Sequence, residues 1–313
     1  MTASPPGVVA AIDCGTNAIR LLIADRTPDG DVTERVRLMR IVRLGEGVDS
    51  TGEFTAAALE RTFAAVDEYA AIIGAEGVTR LRFVATSASR DVRNRDAFVE
   101  GVRARLGVGP EVITGTEEAA LSFGGAVRGL PPGRAVAPTL VVDIGGGSTE
   151  FVLGSTEPEY SVSVDIGCVR MTERHLTADP PTGAQISAAD ADIRAAVAAA
   201  AQRVPFDRAR SLVGLAGTVT TVSAMAMGME AYDAAVLHGS TISAAEVTDV
   251  TGRLLAMSRA DRARLPFMHP GRVDVIAGGA MVLDAVMAAG AFGSVVVSET
   301  DILDGIVYTL DPI

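Results

Sequence analysis

Two short segments constrain this chain more than any other feature. Val8 to Ile12 is a β-branched and Ala run that ends in Asp13-Cys14-Gly15-Thr16-Asn17, after which Ile19 to Ala24 resumes an apolar strand pattern. Leu140 to Asp143 repeats the scheme: an apolar strand enters Gly145-Gly146-Gly147-Ser148-Thr149, and Phe151-Val152-Leu153 follows as the next strand. Asp13 and Asp143 lie 130 residues apart, a spacing that reads as an ancient internal duplication. Two similar halves predict two similar domains facing a cleft, and the alternation of strand and helix patterns elsewhere predicts an α/β class.

The loops also carry the chemistry. Backbone N–H groups approach phosphate oxygens closely only where side chains are absent, which Gly15 and Gly145, Gly146 and Gly147 provide. Thr16, Asn17, Ser148 and Thr149 add hydrogen-bond donors. One such loop fits a tight turn as well as a phosphate site. Two of them, each following a strand and each led by an aspartate, point to phosphate. Carboxylates at Asp13 and Asp143 beside phosphate require a cation, and Mg²⁺, held by one or two carboxylates with water and phosphate oxygens, meets that need. Glu150, at the exit of the second loop, either joins them or is an exposed strand residue.

Composition narrows the partners. At 313 residues, 48% hydrophobic and 21% charged, the chain is long enough for two ordered domains. A net charge of −12 argues against coating nucleic acid or an anionic membrane. All 27 basic residues are Arg, which excludes a Walker-type loop with its obligatory Lys and favours planar, bidentate phosphate ligands. Cys14 and Cys168 have no paired spacing, so neither a disulfide framework nor a cysteine-based zinc site is expected, and a cytoplasmic setting is. The start of the chain lacks the pattern of a secretory signal. The uncharged run Ser211 to Met229 approaches the length of a membrane span, but its Gly and Thr content reads as strand, loop and the start of a helix.

Further along, Thr55 to Ile73 and Arg95 to Leu106 have helical spacing, Leu81 to Thr86 reads as a strand, and Thr116 is placed to cap a helix beginning Glu117-Glu118-Ala119. Gly129-Leu130-Pro131-Pro132-Gly133 is the best linker candidate. An Ala-rich helix is expected around Ala189 to Gln202, a strand and loop over Leu212 to Thr221, and a loop and helix at Ala277-Gly278-Gly279-Ala280-Met281. Met225, Met227 and Met229 are expected to pack a core or an interface. His175 and His269 have no identifiable partner, and Cys14 has no adjacent base.

At this point the sequence resembles the exopolyphosphatase and guanosine pentaphosphatase family. The segments that carry the resemblance are Ile12 to Arg20, Ala85-Thr86-Ser87-Ala88-Ser89-Arg90-Asp91, Ile113-Thr114-Gly115-Thr116-Glu117-Glu118-Ala119, Val142 to Glu150, Leu215-Ala216-Gly217-Thr218, and Arg272 to Ile276 with Gly278-Gly279. They span nearly the whole chain, in family order. The resemblance implies an α/β fold of two similar actin-like domains around a cleft, the ribonuclease H-like superfold shared by acetate and sugar kinases, the 70 kDa heat-shock proteins and actin. It places the N-terminal domain at residues 1–128 and the C-terminal domain at 129–299, with a helix in 300–313 packing back on the first. It implies Glu118 as the acid that orients or deprotonates the attacking water, with Glu117 as the alternative. Glu150 matches a second functional acid, Arg90 a catalytic and phosphate-neutralising arginine, and Arg272 a phosphate-binding one. Mg²⁺, with Mn²⁺ as the alternative, would be held by Asp13, Asp143 and Glu150. The expected substrate is inorganic polyphosphate or guanosine pentaphosphate, the expected assembly a homodimer, and a non-catalytic sensor is the reading from a different class. Ala18 stands where the family often has Ser, and the sequence lacks the HD metal-dependent region of the longer members.

Overall fold

The computed structural model describes residues 7–90 and 92–310, so Asp91 of the Ser-Arg-Asp motif lies outside the described residues. The chain divides into two compact units, one comprising Met1–Gly125 and Ile302–Ile313, the other Ala126–Asp301.

The first unit is built on a five-stranded sheet of β1 (Gly7–Cys14), β2 (Ala18–Arg26), β3 (Val32–Ile41), β4 (Arg80–Ala85) and β5 (Glu111–Val112), in the order β3-β2-β1-β4-β5. β1 to β3 form an antiparallel meander, and β4 and β5 add in parallel. β1 is apolar on both faces because both are covered. Ala10 and Ile12 pack toward Val66, Tyr69 and Phe98 on the helix side, while Val9 and Ala11 pack with Ile302, Leu303, Ile306 and Val307. The latter four belong to the helix Ile302–Thr309, which therefore completes the unit that contains β1.

The second unit carries β6 (Thr139–Ile144), β7 (Thr149–Gly154), β8 (Pro158–Val164), β9 (Ser211–Leu215), β10 (Thr241–Ser243) and β11 (Ser294–Val297). Read from β8, the order is β8-β7-β6-β9-β11-β10. The directions repeat: β6 to β8 are an antiparallel meander, and β9 and β11 join in parallel. Up to the added β10 the two sheets therefore share one topology, that of the actin-like, ribonuclease H-like fold. The second core is larger, running from Leu140, Val142 and Phe151 through the Ala-rich helix Gly183–Ala201 to the helix Ile276–Ala289.

Several local expectations are altered by tertiary packing. The helix expected at Glu117 starts at Gly115, and its capping hydroxyl belongs to Thr114, which accepts from the Glu117 N–H at 3.2 Å. Gly278 and Gly279 lie within the helix Ile276–Ala289, not in a loop before it. A Cβ on Gly279 would press on the Thr218 side chain, so the glycine serves close approach, not turning. Met225 is buried, but Met227 is exposed. His175 has a partner, Asp192, at 2.9 Å. Among the described residues no helix is long and apolar enough to cross a membrane.

Candidate functional site

The first Gly-rich loop is the turn between β1 and β2. Gly15 donates its N–H to the Ala18 carbonyl at 2.9 Å, closing the hairpin, and Asn17 accepts at its carbonyl from the N–H groups of Val42 and Arg43. Gly45 donates to the Thr16 carbonyl at 2.8 Å, and a Cβ at 45 would strike the Thr16 side chain. The Thr16 hydroxyl, 2.9 Å from that of Ser87, ties the loop to the short helix Ser87–Arg90 that follows β4. From that helix Arg90 donates to Glu118 at 2.7 Å.

This pair separates the two candidate acids. Glu118 is buried and held by Arg90, whereas Glu117 is exposed and bonds Arg82 at 2.8 Å. The helix sets them apart, because adjacent positions on a helix face different directions. Asp13 is bound by an arginine the sequence reading left without a role. Arg20 sits opposite it in the β1–β2 register and donates from Nε at 3.0 Å and from its terminal nitrogen at 2.6 Å to the same carboxylate oxygen. Cys14 is fully buried, and burial reinforced by the neighbouring Asp13 pushes its thiol well up, leaving it protonated.

The second loop joins β6 to β7 by the same turn, Gly145 donating to the Ser148 carbonyl at 3.0 Å. Among the described residues the N–H groups of Gly146 and Gly147 donate to no backbone carbonyl, which suits an incoming oxyanion. The loop rests on the start of the helix Cys168–His175. Gly145 accepts from Cys168, Gly146 accepts from Val169 and Arg170, and the Arg170 side chain donates to the Gly147 carbonyl at 2.8 Å. A Cβ on Gly167 would collide with the Gly146 backbone, so only glycine allows this seat.

Glu150 is almost wholly buried and lies opposite Asp143 in the β6–β7 register. Opposed residues share a sheet face with Cβ atoms about 5 Å apart. The Glu150 carboxylate accepts from Ser148 at 2.8 Å and from Ser163 at 2.7 Å. Two buried carboxylates side by side repel unless a cation or proton intervenes. Asp143 and Glu150 are a hard-oxygen pair that would suit a divalent cation such as Mg²⁺. Asp13 fits less well, since Arg20 already matches its charge. Among the described residues no group of three or more His, Cys, Asp or Glu is placed to hold a metal.

Arg272, in the 3₁₀ turn Pro270–Arg272, donates to the Thr221 hydroxyl at 3.0 Å. It lies against Gly217 at the start of the helix Ala216–Ala226, where a Cβ would meet its guanidinium. Ala216 makes the strand-to-helix corner at a φ of 65°, a left-handed conformation unusual for a residue with a Cβ. The His269 imidazole accepts from the Gly271 N–H at 3.1 Å, and burial with the nearby Arg272 charge holds its pKa below 6.5. Cys168 is linked to the same region: burial raises its thiol to about 11 against the opposing pull of Thr218 and Arg272.

Sequence reasoning thus named the loop residues, Arg90, Glu118, Glu150 and Arg272, but it missed Arg20, Gly45, Ser163, Gly167 and Arg170. Their shared signal was position. Each lies within the antiparallel meander or just after it, at the strand register or loop seat that brings it against a Gly-rich turn.

Comparison with known proteins agrees with this architecture. The model of the Ppx/GppA phosphatase family matches residues 23–312. The chain is 50% identical to Exopolyphosphatase 2 of Mycobacterium tuberculosis over 96% of its own length and 98% of that protein. A crystal structure of an exopolyphosphatase-like protein superposes with a TM-score of 0.94 at 45% identity, covering 98% of each chain. The Ppx/GppA family member of Aquifex aeolicus gives 0.79 at 27% identity, covering 97% of each chain. The chain belongs to the Ppx/GppA phosphatase family.

Proposed function

We propose that this chain is an exopolyphosphatase that releases orthophosphate from the end of inorganic polyphosphate. The observation that carries the reading is the buried Glu118, fixed by Arg90 beside the first Gly-rich loop in a chain half identical to a protein named exopolyphosphatase. Glu118 orients a water molecule and accepts its proton as the water oxygen attacks the terminal phosphorus. The phosphoanhydride bond breaks on the far side, releasing orthophosphate and leaving a chain one phosphate shorter. Arg90 keeps the Glu118 carboxylate aimed and charged. The phosphate-binding groups are the Thr16 hydroxyl in the first unit and, in the second, the N–H groups of Gly146 and Gly147, the Ser148 hydroxyl and the Arg272 guanidinium; alignment with charge neutralisation is most of what phosphoryl transfer needs. Mg²⁺ at Asp143 and Glu150 supplies further charge neutralisation when bound, with Mn²⁺ as the alternative. Buried, unpaired Cys14 and Cys168 fit a reducing cytoplasm, and a homodimer completes the reading.

The test compares phosphate release from polyphosphate and from guanosine pentaphosphate, in Mg²⁺ and in Mn²⁺, for the wild type and Glu118→Ala. Polyphosphate is expected to be the better substrate, and the variant is expected to retain substrate binding while turnover drops about 10²–10⁴-fold, the usual span for a lost general base. Faster release from guanosine pentaphosphate would replace the substrate assignment. Substrate binding without hydrolysis by the wild type would instead favour a sensor.

A further inference from the structure

The helix Ala216–Ala226 is covered on every side, and each residue from Thr218 to Met225 is buried. Such a helix favours apolar side chains, and a hydroxyl inside it costs free energy unless it is hydrogen-bonded. Thr221 lies in this stretch, almost wholly buried, where valine would offer the same branched shape without that cost. The hydroxyl is used in two directions. Its proton is donated to the Gly217 carbonyl at 2.6 Å, one turn back, so the oxygen turns a lone pair toward Arg272, which donates from Nη1 at 3.0 Å.

Gly217 meets the same guanidinium by a second route. A Cβ at this position would lie 2.4 Å from Cζ and 2.5 Å from both Nε and Nη2 of Arg272. A point so nearly equidistant from three bonded atoms of one plane stands over that plane, so the guanidinium lies face-on against the glycine backbone. The left-handed corner at Ala216, φ 65°, sets the glycine there. Arg272 is thus restrained twice: Gly217 sets the plane of its guanidinium, and Thr221 sets the rotation within that plane. Fixing Nη1 also fixes the direction of the Nε–Nη2 edge, one of the edges with which an arginine takes two oxygens of a phosphate.

We propose that Thr221 and Gly217 are positioning residues that hold the Arg272 guanidinium in its phosphate-binding orientation before substrate arrives, so that this long side chain need not be ordered as substrate binds. Thr221 is on this account a threonine, not a valine, for the sake of the arginine it aims, and residue 217 is a glycine because any side chain would push that arginine away. The inference rests on the proposed phosphate-binding role of Arg272, and the experiment separates the two.

KM and kcat for polyphosphate are measured, beside a thermal melt, for Thr221→Val, Thr221→Ser, Gly217→Ala and Arg272→Ala, and for Thr221→Val and Gly217→Ala each combined with Arg272→Ala. Arg272→Ala is expected to raise KM about 10–100-fold, the order of a lost hydrogen bond to a charged group. Thr221→Val and Gly217→Ala are each expected to raise KM about fivefold with kcat within about twofold of the wild type, the order that follows when one more side chain must be ordered on binding. Thr221→Ser keeps the hydroxyl and is expected to recover the wild-type KM to within about twofold. In the Arg272→Ala background both substitutions are expected to change KM by less than about twofold, because the group they aim is gone. The full penalty persisting in that background would show a merely structural role, and an unchanged KM in the single variants would show none; either result overturns the proposal and leaves Arg272 as a phosphate ligand. An unchanged KM in Arg272→Ala would overturn that reading and the proposal together. Gly217→Ala carries the test if Thr221→Val does not fold, since alanine is the better helix former and the atoms its Cβ would meet first are those of the guanidinium.

Discussion

At the scale of single residues, the chain separates neighbours that sequence alone treats as equivalent. Glu117 and Glu118 differ by one position and each bonds a half-buried arginine, yet Glu117 is exposed beside Arg82 and Glu118 is buried beside Arg90. Glu117→Ala is therefore expected to leave kcat within about twofold of the wild type, against the large loss expected for Glu118→Ala. A steady-state comparison of the two variants checks this. His269 provides a pH prediction. Its folded pKa lies below 6.5 because burial and Arg272 oppose the charged form, and its Nδ1 must stay unprotonated to accept from Gly271. The unfolded chain takes up the proton first, so stability is whole above about pH 6.5 and declines as the pH falls below it. His269→Asn keeps an acceptor without the titration. Its melting temperature is expected to fall less than that of the wild type between pH 6.5 and 5, as thermal denaturation followed across that range would show.

At the scale of elements, the hairpin turns were plain in the sequence because β-branched runs and Asp-x-Gly punctuation are local signals. What holds each turn in place was not. Gly45 and Gly167 both follow the third strand of a meander, and each leaves room for a loop backbone or side chain that any Cβ would push away. Gly167 has a φ of −127°, so its requirement is steric, not conformational. Gly167→Ala is accordingly expected to displace the second loop, lowering kcat/KM by about 100-fold, the order of loss that follows from misplacing a reacting group by an ångström. Kinetic assay beside a thermal melt tests this, since the prediction requires the activity loss to exceed any change in folding. Thr114 makes a related point. Both Thr114 and Thr116 carry the hydroxyl a cap needs, and only the backbone path out of β5 decides which one is at the helix start.

At the scale of the whole molecule, the helix Ile302–Thr309 returns to the unit that holds β1. Ile302, Leu303, Ile306 and Val307 are all at or below 2% exposure against Val9, Ala11, Leu22, Ala24 and Val84. Four such side chains contribute roughly 6–12 kcal/mol of burial, comparable with the entire stability of a typical domain. Removal of residues 302–313 is therefore expected to abolish hydrogen-exchange protection in β1 and β2 while β6 and β7, whose core is separate, keep theirs. Exchange measured by mass spectrometry on the truncated chain reads both units at once.

The sequence by itself determined the α/β class, the duplicated strand–loop–strand units, the residues of both Gly-rich turns and the family, because each is written in local period, in turn chemistry or in contiguous motifs. Only the tertiary structure decided that Asp13 is matched by Arg20 whereas Asp143 faces Glu150, which acid Arg90 holds, and which glycines seat the loops. Those outcomes depend on strand register and on close approach between segments far apart in the chain, and neither leaves a mark on the residues taken one stretch at a time.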